Sequence, residues 1–253
     1  MISILITSFL RPHLLQWNLF SLVRQNIPYP FETIVLNDGL PDASREICRQ
    51  FERTLNLKYV FTGQRNQAND LKYRVPGFAL NIGAKISSGE VLIISCAEMF
   101  HINNTIELLS DPMMMDTKLL TTSIGMDDHD GSFLNYINRH MGNIDSHAYH
   151  YNYPRLNTRL PFLMAVQRRD YFSIGGYDED FTGFAFDDND FVDRLILNGR
   201  RLCLTQAKTV HLYHYRHDTD YEDSPEYLHN KNLYLQRKYQ IVRNHGKDWG
   251  KIL

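Results

Sequence analysis

The sequence has few cysteines and almost no net charge, and each shortage excludes some classes of protein. Its 253 residues include three cysteines, at positions 48, 96 and 203. An odd number of distant cysteines without a CxxC pair excludes a disulfide framework and a cysteine zinc knuckle, so we expect a reducing, cytoplasmic environment. A formal charge of -2 offers no general attraction to nucleic acid, and no nucleic-acid partner is expected.

Long apolar runs, internal repeats and Gly/Ser linkers are also missing. No stretch reaches the length of a membrane-spanning helix, so we expect no transmembrane segment. A strand-like run follows Met1 directly, where a signal peptide would have its charged and apolar regions, and no signal peptide is expected. Peripheral attachment to a membrane stays open. The absence of linkers predicts a single domain over residues 1–253.

The first hundred residues contain a regular alternation of strand and helix patterns. Residues 91–96 (VLIISC) are apolar without alternation, as expected for a strand that is covered on both faces. The order of elements predicts an α/β fold with a mostly parallel central sheet flanked by helices. The predicted strands are 2–7, 33–36, 58–62 and 91–96, and the predicted helices are 13–25, 41–55 and 77–87.

The second half of the chain is less regular. Residues 125–158 show no clear period and are predicted as a long loop, and long loops in compact domains are commonly functional. Around this loop, the predicted helices are 103–111, 188–197 and 225–244, and the predicted strands are 118–124, 162–167 and 202–212.

Polar side chains follow three of the first-half strands at the point where each strand ends. Thr7 and Ser8 close the first strand, Asp38 follows the second, and Glu98 follows the fourth. In parallel sheets, ligands collect outside the carboxyl ends of the strands. The coincidence of these groups at one sheet edge predicts a binding site there.

Residues 175–190 (GGYDEDFTGFAFDDND) are the most informative segment of the chain. A glycine pair and an aromatic-rich turn deliver three aspartates and an asparagine to the start of a predicted helix. Acidic and amide residues at such a position can simply cap the helix and favour its positive end. One capping residue is enough for that purpose, and the excess of acids favours a functional site.

This segment resembles a signature of GT-A glycosyltransferases, enzymes of the nucleotide-diphospho-sugar transferase class. Residues 175–179 resemble the first part of that signature and residues 184–190 the second, with Arg194 and Leu195 following at the right distance. The likeness is to family 2 and to its β-1,4-galactosyltransferase-like and chondroitin-polymerase-like branches. Three further segments resemble family motifs in the correct order: 6–12 (ITSFLRP), 35–39 (VLNDG) and 79–84 (ALNIGA).

The resemblance implies a nucleotide-sugar donor, UDP-linked by the likeness around Asp38. It implies a nucleotide-binding half over 1–100, an acceptor and catalytic half over 101–217, and a C-terminal helical segment over 218–253. The residues implied to bind the nucleotide are Thr7, Ser8, Phe9, Arg11, Asp38 and Asn81.

The resemblance also implies a divalent metal, with one departure from the family pattern. The family places a DxD motif where this chain has Cys96-Ala97-Glu98, so only the last acid is present. His211 and His214 match the spacing of two further ligands in the galactosyltransferase-like branch. Glu98, His211 and His214 are thus implied to hold a divalent ion, Mn²⁺ with Mg²⁺ as the alternative. A carboxylate and two imidazoles suit Mn²⁺, Fe²⁺, Co²⁺ or Zn²⁺ better than Ca²⁺. Both histidines can point into one site only if the chain turns after His211.

By the same resemblance, Asp188 is the general base that deprotonates the acceptor hydroxyl, and inversion at the sugar carbon follows. Asp187 is a second catalytic residue. Gly176, Phe184 and Asp190 are implied to contact donor or acceptor sugar. The acceptor would be a glycan or a lipid-linked glycan in polysaccharide biosynthesis, and the loop 125–158 would contribute acceptor specificity.

Three other interpretations stay open at this point. A sugar-phosphate nucleotidyltransferase usually has a glycine-rich loop after its first strand, and residues 8–12 (SFLRP) contain no glycine. A non-catalytic relative is favoured by the altered Cys96-Ala97-Glu98 motif and disfavoured by the intact Asp187-Asp188 pair. A retaining transferase is also compatible, since one fold serves both stereochemical outcomes.

Overall fold

The computed structural model describes residues 1–63, 74–144, 153–215, 222 and 224–252. The strands are β1 (Ile2–Ser8), β2 (Phe31–Asn37), β3 (Leu57–Phe61), β4 (Val91–Cys96), β5 (Met99–His101), β6 (Leu119–Asp127), β7 (Leu163–Gln167) and β8 (Arg201–His211). The helices are α1 (Pro12–Val23), α2 (Ser44–Leu55), α3 (Gly77–Ile86), α4 (Thr105–Met115), α5 (Ser132–Arg139), α6 (Arg168–Ser173), α7 (Asp187–Leu197) and α8 (Pro225–Arg237).

The strands form one eight-stranded sheet in the order β3-β2-β1-β4-β7-β6-β8-β5. The first-half strands pair in parallel, as the alternating pattern predicts. The sheet is mixed beyond β4, because β7 runs antiparallel to both of its neighbours and β5 runs antiparallel to β8. The α/β fold with a central sheet and flanking helices is confirmed, and β6 and β8 of the second half also pair in parallel.

Strand β1 lies inside the sheet, between β2 and β4, and shows why the fold forms. Its side chains alternate between two faces, so that Ile4 and Ile6 pack in one apolar cluster and Leu5 in the other. Helices α1, α2 and α4 cover the first face, and α3 and α7 cover the second. Burial on both faces places the polar ends of the strands at the sheet edge, where a site can form.

The predicted long loop 125–158 is wrong in its first part. Strand β6 continues to Asp127, and residues 132–139 form α5. This helix buries Phe133 and Ile137 against Leu14 and Phe100, a small cluster that provides its stability in place of a long periodic pattern. Residues 145–152, which belong to the same predicted loop, lie outside the described residues.

Other differences concern short elements and one helix end. The short elements β5 and α6 are not predicted from the sequence. The C-terminal helix ends at Arg237 rather than 244, and the chain continues without helix through Asn244, whose φ is 55°. Within the described residues, no helix combines the length and the apolar character that crossing a bilayer requires.

Candidate active site

A cavity of about 410 Å³ opens at the carboxyl ends of β1 and β4. It collects predicted site residues that lie far apart along the chain, from the first strand to the end of β8. Those lining it are Thr7, Ser8, Phe9, Arg11, Asp38, Glu98, Phe184, Asp188, His211 and His214. The cleft therefore lies where ligands collect in such sheets, outside the carboxyl ends of the parallel strands. The roles of the individual residues stay predictions.

Asp38 lies at the end of β2 and is almost fully buried. Its carboxylate accepts hydrogen bonds from Thr62 Oγ1 at 2.9 Å and from the Arg74 guanidinium at 2.6 Å. Arg74 also lies over the Phe9 ring, 5.5 Å from its centroid. A ring beside a buried ion pair forms a surface on which a planar base can stack and also find polar partners.

Glu98 follows β4 and is buried, with its carboxylate ion-paired to the Arg11 guanidinium. Cys96, where the family pattern has its first acid, also lines the cavity. Burial raises the pKa of the Cys96 thiol to about 12, so that this side chain is neutral near pH 7. One carboxylate therefore faces the cavity from this segment, and a guanidinium balances its charge.

His211 is the last residue of β8, and the chain leaves the strand directly after it. Because the chain turns there, His211 and His214 can face the same site. Their ring centroids are 5.2 Å apart. The Leu212 amide donates to the Glu98 carbonyl at 2.8 Å, which holds the two segments side by side. His211 Nδ1 lies 3.2 Å from Asp127 Oδ1, a contact that orients the imidazole ring.

The donor set fits a divalent ion in its chemistry, since a carboxylate and two imidazoles border one cavity. Its present side-chain positions do not form a coordination shell. In the part of the chain that the structure describes, no three His, Cys, Asp or Glu side chains are grouped closely enough to hold an ion. Since the Arg11 guanidinium forms an ion pair with the Glu98 carboxylate, metal binding at Glu98 would require Arg11 to move away.

Asp187 and Asp188 are the first two residues of α7, where the helix dipole favours negative charge. The Tyr177 hydroxyl donates to Asp188 Oδ1 at 3.1 Å. Burial raises the pKa of Asp188 to about 6, and burial together with the neighbouring Asp188 charge raises the pKa of Asp187 well above its usual range. The buried Asp187 Oδ2 has no hydrogen-bond partner among the described residues. Asp188 can therefore exchange a proton near neutral pH.

Asn81, predicted to bind the nucleotide, lies outside the cavity. Its amide oxygen accepts from the Tyr171 hydroxyl and the Tyr177 amide, and its amide nitrogen donates to the Tyr177 carbonyl and Glu179. These bonds use the full hydrogen-bonding capacity of an amide side chain. The prediction for Asn81 is corrected: the residue holds the 177–179 segment against α3.

Gly176 and Asp190, predicted to contact sugar, also belong to the interior. Gly176 has φ of 68°, and a Cβ there would lie 2.4 Å from Asn81 Oδ1, so the position requires glycine for backbone and packing reasons. Asp190 is buried and ion-paired with Arg194 and Arg243, at 2.7 Å in each case. Both residues support the loop before α7 and do not reach either cavity.

A second cavity of about 450 Å³ adjoins the first and includes Asp187, Asp188 and Asn189 in its lining. Its aromatic residues are Phe184, Phe186 and Tyr227. Sequence reasoning missed Tyr227 and Arg74. Arg74 lies between β3 and α3, outside any predicted element. Tyr227 lies in α8, and the sequence does not show where this helix packs. Phe184 and Phe186 are the residues from which the sequence could have indicated an aromatic site here.

Comparison with solved structures defines the class of this fold. The structure titled GalNAc-T7 with UDP, GalNAc and Mn²⁺ superposes with a TM-score of 0.66 at 16% identity, covering 94% of this chain and 48% of that one. At this identity the likeness establishes the fold, which is that of GT-A glycosyltransferases.

The family follows from the sequence models. The chain matches the model of glycosyl transferase family 2 over residues 3–173 and a model described as the N-terminal domain of galactosyltransferase over residues 139–218. The chain belongs to glycosyl transferase family 2. The resemblance seen in its motifs is confirmed.

Curated relatives share parts of the chain or its whole length. Chondroitin synthase of Escherichia coli is 24% identical over 274 aligned residues, covering 95% of this chain and 38% of that protein. Validoxylamine A glucosyltransferase of Streptomyces hygroscopicus subsp. limoneus is 38% identical over 93 residues, covering 36% of this chain and 19% of that protein. The chain thus spans well under half the length of either relative.

Proposed function

We propose that this chain transfers a sugar from a nucleotide-diphosphate donor, a UDP-sugar, to a hydroxyl group of a glycan or lipid-linked glycan, with inversion at the sugar carbon. The observation that carries the proposal is the position of Asp188, which borders both cavities. A group at that junction can touch a donor in the first cavity and an acceptor in the second. The synthase and glucosyltransferase relatives support a transfer reaction of this kind.

The donor nucleotide would bind in the first cavity. Asp38 would accept hydrogen bonds from the base, which stacks on Phe9, while Arg74 holds the carboxylate in place. Thr7 and Ser8 border the same space from the end of β1. The UDP bound in GalNAc-T7 supports a uridine nucleotide here.

Asp188 would act as the general base. Its pKa of about 6 leaves it ionised at neutral pH and still basic enough to take the proton as the acceptor oxygen attacks. Asp187, with its unpartnered buried oxygen, would accept a hydrogen bond from a sugar hydroxyl. A single base acting on an incoming hydroxyl implies direct displacement, and hence inversion.

Glu98, His211 and His214 would hold a divalent ion, which supplies positive charge to the diphosphate leaving group when it is bound. The Mn²⁺ in the GalNAc-T7 structure supports Mn²⁺ as this ion, with Mg²⁺ as the alternative. Arg11, released from Glu98, would reach the same phosphate oxygens and form charge-assisted hydrogen bonds with them.

The deciding experiment is Asp188→Asn, which keeps the shape of the side chain and removes its basicity. We expect transfer to fall at least 10²-fold, in line with the usual contribution of a general base, while binding of the UDP donor by calorimetry changes less than threefold. Asp193→Asn, on the same helix but outside both cavities, is the matched control and should keep its activity. Unchanged turnover in Asp188→Asn would remove this residue from the base role. The anomeric configuration of the product, read by NMR, tests inversion.

A further inference from the structure

The lining of the second cavity has a polar wall and an aromatic wall. The polar wall consists of Asp187, Asp188 and Asn189 at the start of α7. The aromatic wall includes Phe186 and Tyr227, whose ring centroids are 5.1 Å apart at an interplanar angle of 60°. The cavity volume of about 450 Å³ lies within the range of about 300–1,000 Å³ that is usual for small-ligand sites.

A pyranose ring matches both walls at once. Its hydroxyl groups are donors that carboxylates can accept, and one of its faces presents C–H groups that pack on an aromatic ring. A purely apolar ligand would leave the buried Asp187 Oδ2 without a partner, at a cost in free energy. The lining therefore favours a sugar over an apolar ligand.

The aromatic wall comes from two separate parts of the chain. Phe186 belongs to the loop before α7, whereas Tyr227 lies in the first turn of α8, 41 positions later. Ser224 caps this helix by accepting from the Tyr227 amide at 3.3 Å. From the next turn, Asn230 donates to the carbonyls of Thr182 and Phe184 at 2.6 and 2.7 Å. These bonds fix α8 against the loop, and thereby fix the Tyr227 ring beside the cavity.

We propose that Tyr227 binds the acceptor sugar, offering its ring face to a pyranose in the second cavity, so that the C-terminal helix α8 completes the acceptor subsite. The inference rests on the proposed function, because it takes the adjoining first cavity as the donor site. It assigns acceptor selectivity to a helix that lies outside the residues matched by either family model.

The test uses binding and turnover in parallel on the full chain. The probes are methyl β-glucoside, β-galactoside, β-N-acetylglucosaminide and β-glucuronide, with binding detected by saturation-transfer NMR in the presence of UDP. We expect at least one of them to bind, and Tyr227→Ala to weaken that binding about tenfold, the effect of losing one ring contact of about 1.4 kcal/mol. Tyr227→Phe, which keeps the ring, should restore binding to within about threefold.

Leu228→Ala is the matched control, because Leu228 is the next residue of α8, is 43% exposed and lies outside the cavity lining. It should bind the probes as the wild type does. Equal binding by Tyr227→Ala and the wild type, or no binding of any probe to the wild type, overturns the inference.

Turnover separates this outcome from failure of the proposed function. If the wild type neither hydrolyses nor transfers from any UDP-sugar, the proposed function fails, while the NMR result still decides the role of Tyr227. If the wild type transfers sugar and Tyr227→Ala raises the acceptor KM about tenfold with little change in kcat, both proposals stand. An unchanged acceptor KM overturns the inference alone.

Discussion

Asp188 combines an acidic side chain with an environment that resists its ionisation. Burial is the dominant cause of its raised pKa, and the Tyr177 hydrogen bond, which favours the charged form, offsets only part of that effect. An ordinary aspartate would be ionised but a weak base, whereas a carboxyl group that titrates near pH 6 is both ionised and basic at neutral pH.

The proposed base role predicts a specific pH dependence. Below pH 6 Asp188 gains a proton and can no longer accept one, so kcat/KM for transfer should fall about tenfold per pH unit on the acid side. A rate measured from pH 4.5 to 8 with a saturating donor checks this. An acid limb centred near pH 4 would contradict the raised pKa.

The same burial predicts an effect on folding that needs no substrate. The folded-state pKa of Asp188 lies above its unfolded value of 3.8, so the ionised form opposes folding above pH 6 and has no effect below pH 4. Asp188→Asn should therefore increase the free energy of unfolding at pH 8, by on the order of 2 kcal/mol, and not at pH 3.5.

At the proposed metal site, Arg11 and a divalent ion would compete for the same carboxylate. Glu98 is buried, and a guanidinium balances its charge in the present arrangement. An incoming ion must displace that guanidinium, and the lost ion pair reduces the net affinity for the metal.

Arg11→Gln should therefore bind Mn²⁺ more tightly than the wild type when no nucleotide is present. We expect a gain of about threefold to tenfold, measured by calorimetry at pH 7.5. Glu98→Gln should lose Mn²⁺ binding altogether. Weaker Mn²⁺ binding by Arg11→Gln would show that the two cations do not compete.

At the level of elements, the loop before α7 is held in an unfavourable backbone conformation. Ala185 and Phe186 have φ values of 72° and 67°, a region that non-glycine residues rarely occupy. Asn230 of α8 bonds to carbonyls on this loop, and its own oxygen accepts from the Thr182 amide at 3.3 Å. Contacts from a neighbouring helix thus stabilise a loop that local preferences disfavour.

Asn230→Ala should reduce the free energy of unfolding by about 2 kcal/mol or more, because buried carbonyls lose their donor. It should also lower kcat, since the loop positions Asp187 and Asp188. Urea denaturation and steady-state kinetics measure the two effects. The exposed neighbour His229→Ala is the control, with an expected change within about 0.5 kcal/mol.

The sequence predicts the elements that depend on local patterns and misses those that depend on packing. The strand ends at Asp38 and Glu98 are recognisable because parallel strands place their carboxyl ends together. Helix α5 is short, and its stability comes from contacts with distant residues. The sequence predicts ligand contacts for Asn81 and Asp190 because a motif mixes residues that touch the ligand with residues that support them. Their burial distinguishes the two groups only once the fold is known.

At the scale of the whole molecule, a single sheet passes through both of the predicted halves. Strand β4 pairs with β1 on one side and with β7 on the other. The C-terminal segment adds a second connection, since Arg243 lies between the carboxylates of Asp178 and Asp190 and Asn244 donates to the carbonyls of Gly175 and Tyr177. The segment that leads to Asp188 is therefore supported by residues that follow the C-terminal helix α8.

The shared strand pair β4–β7 limits how this protein can be re-engineered. Chimeras that exchange a donor-recognising portion for that of another transferase would cut through a continuous hydrogen-bonded ladder and the two apolar clusters that cover it. New specificity is better sought by side-chain replacement around the rims of the cavities, at positions such as Phe9 and Tyr227, than by recombination of larger blocks.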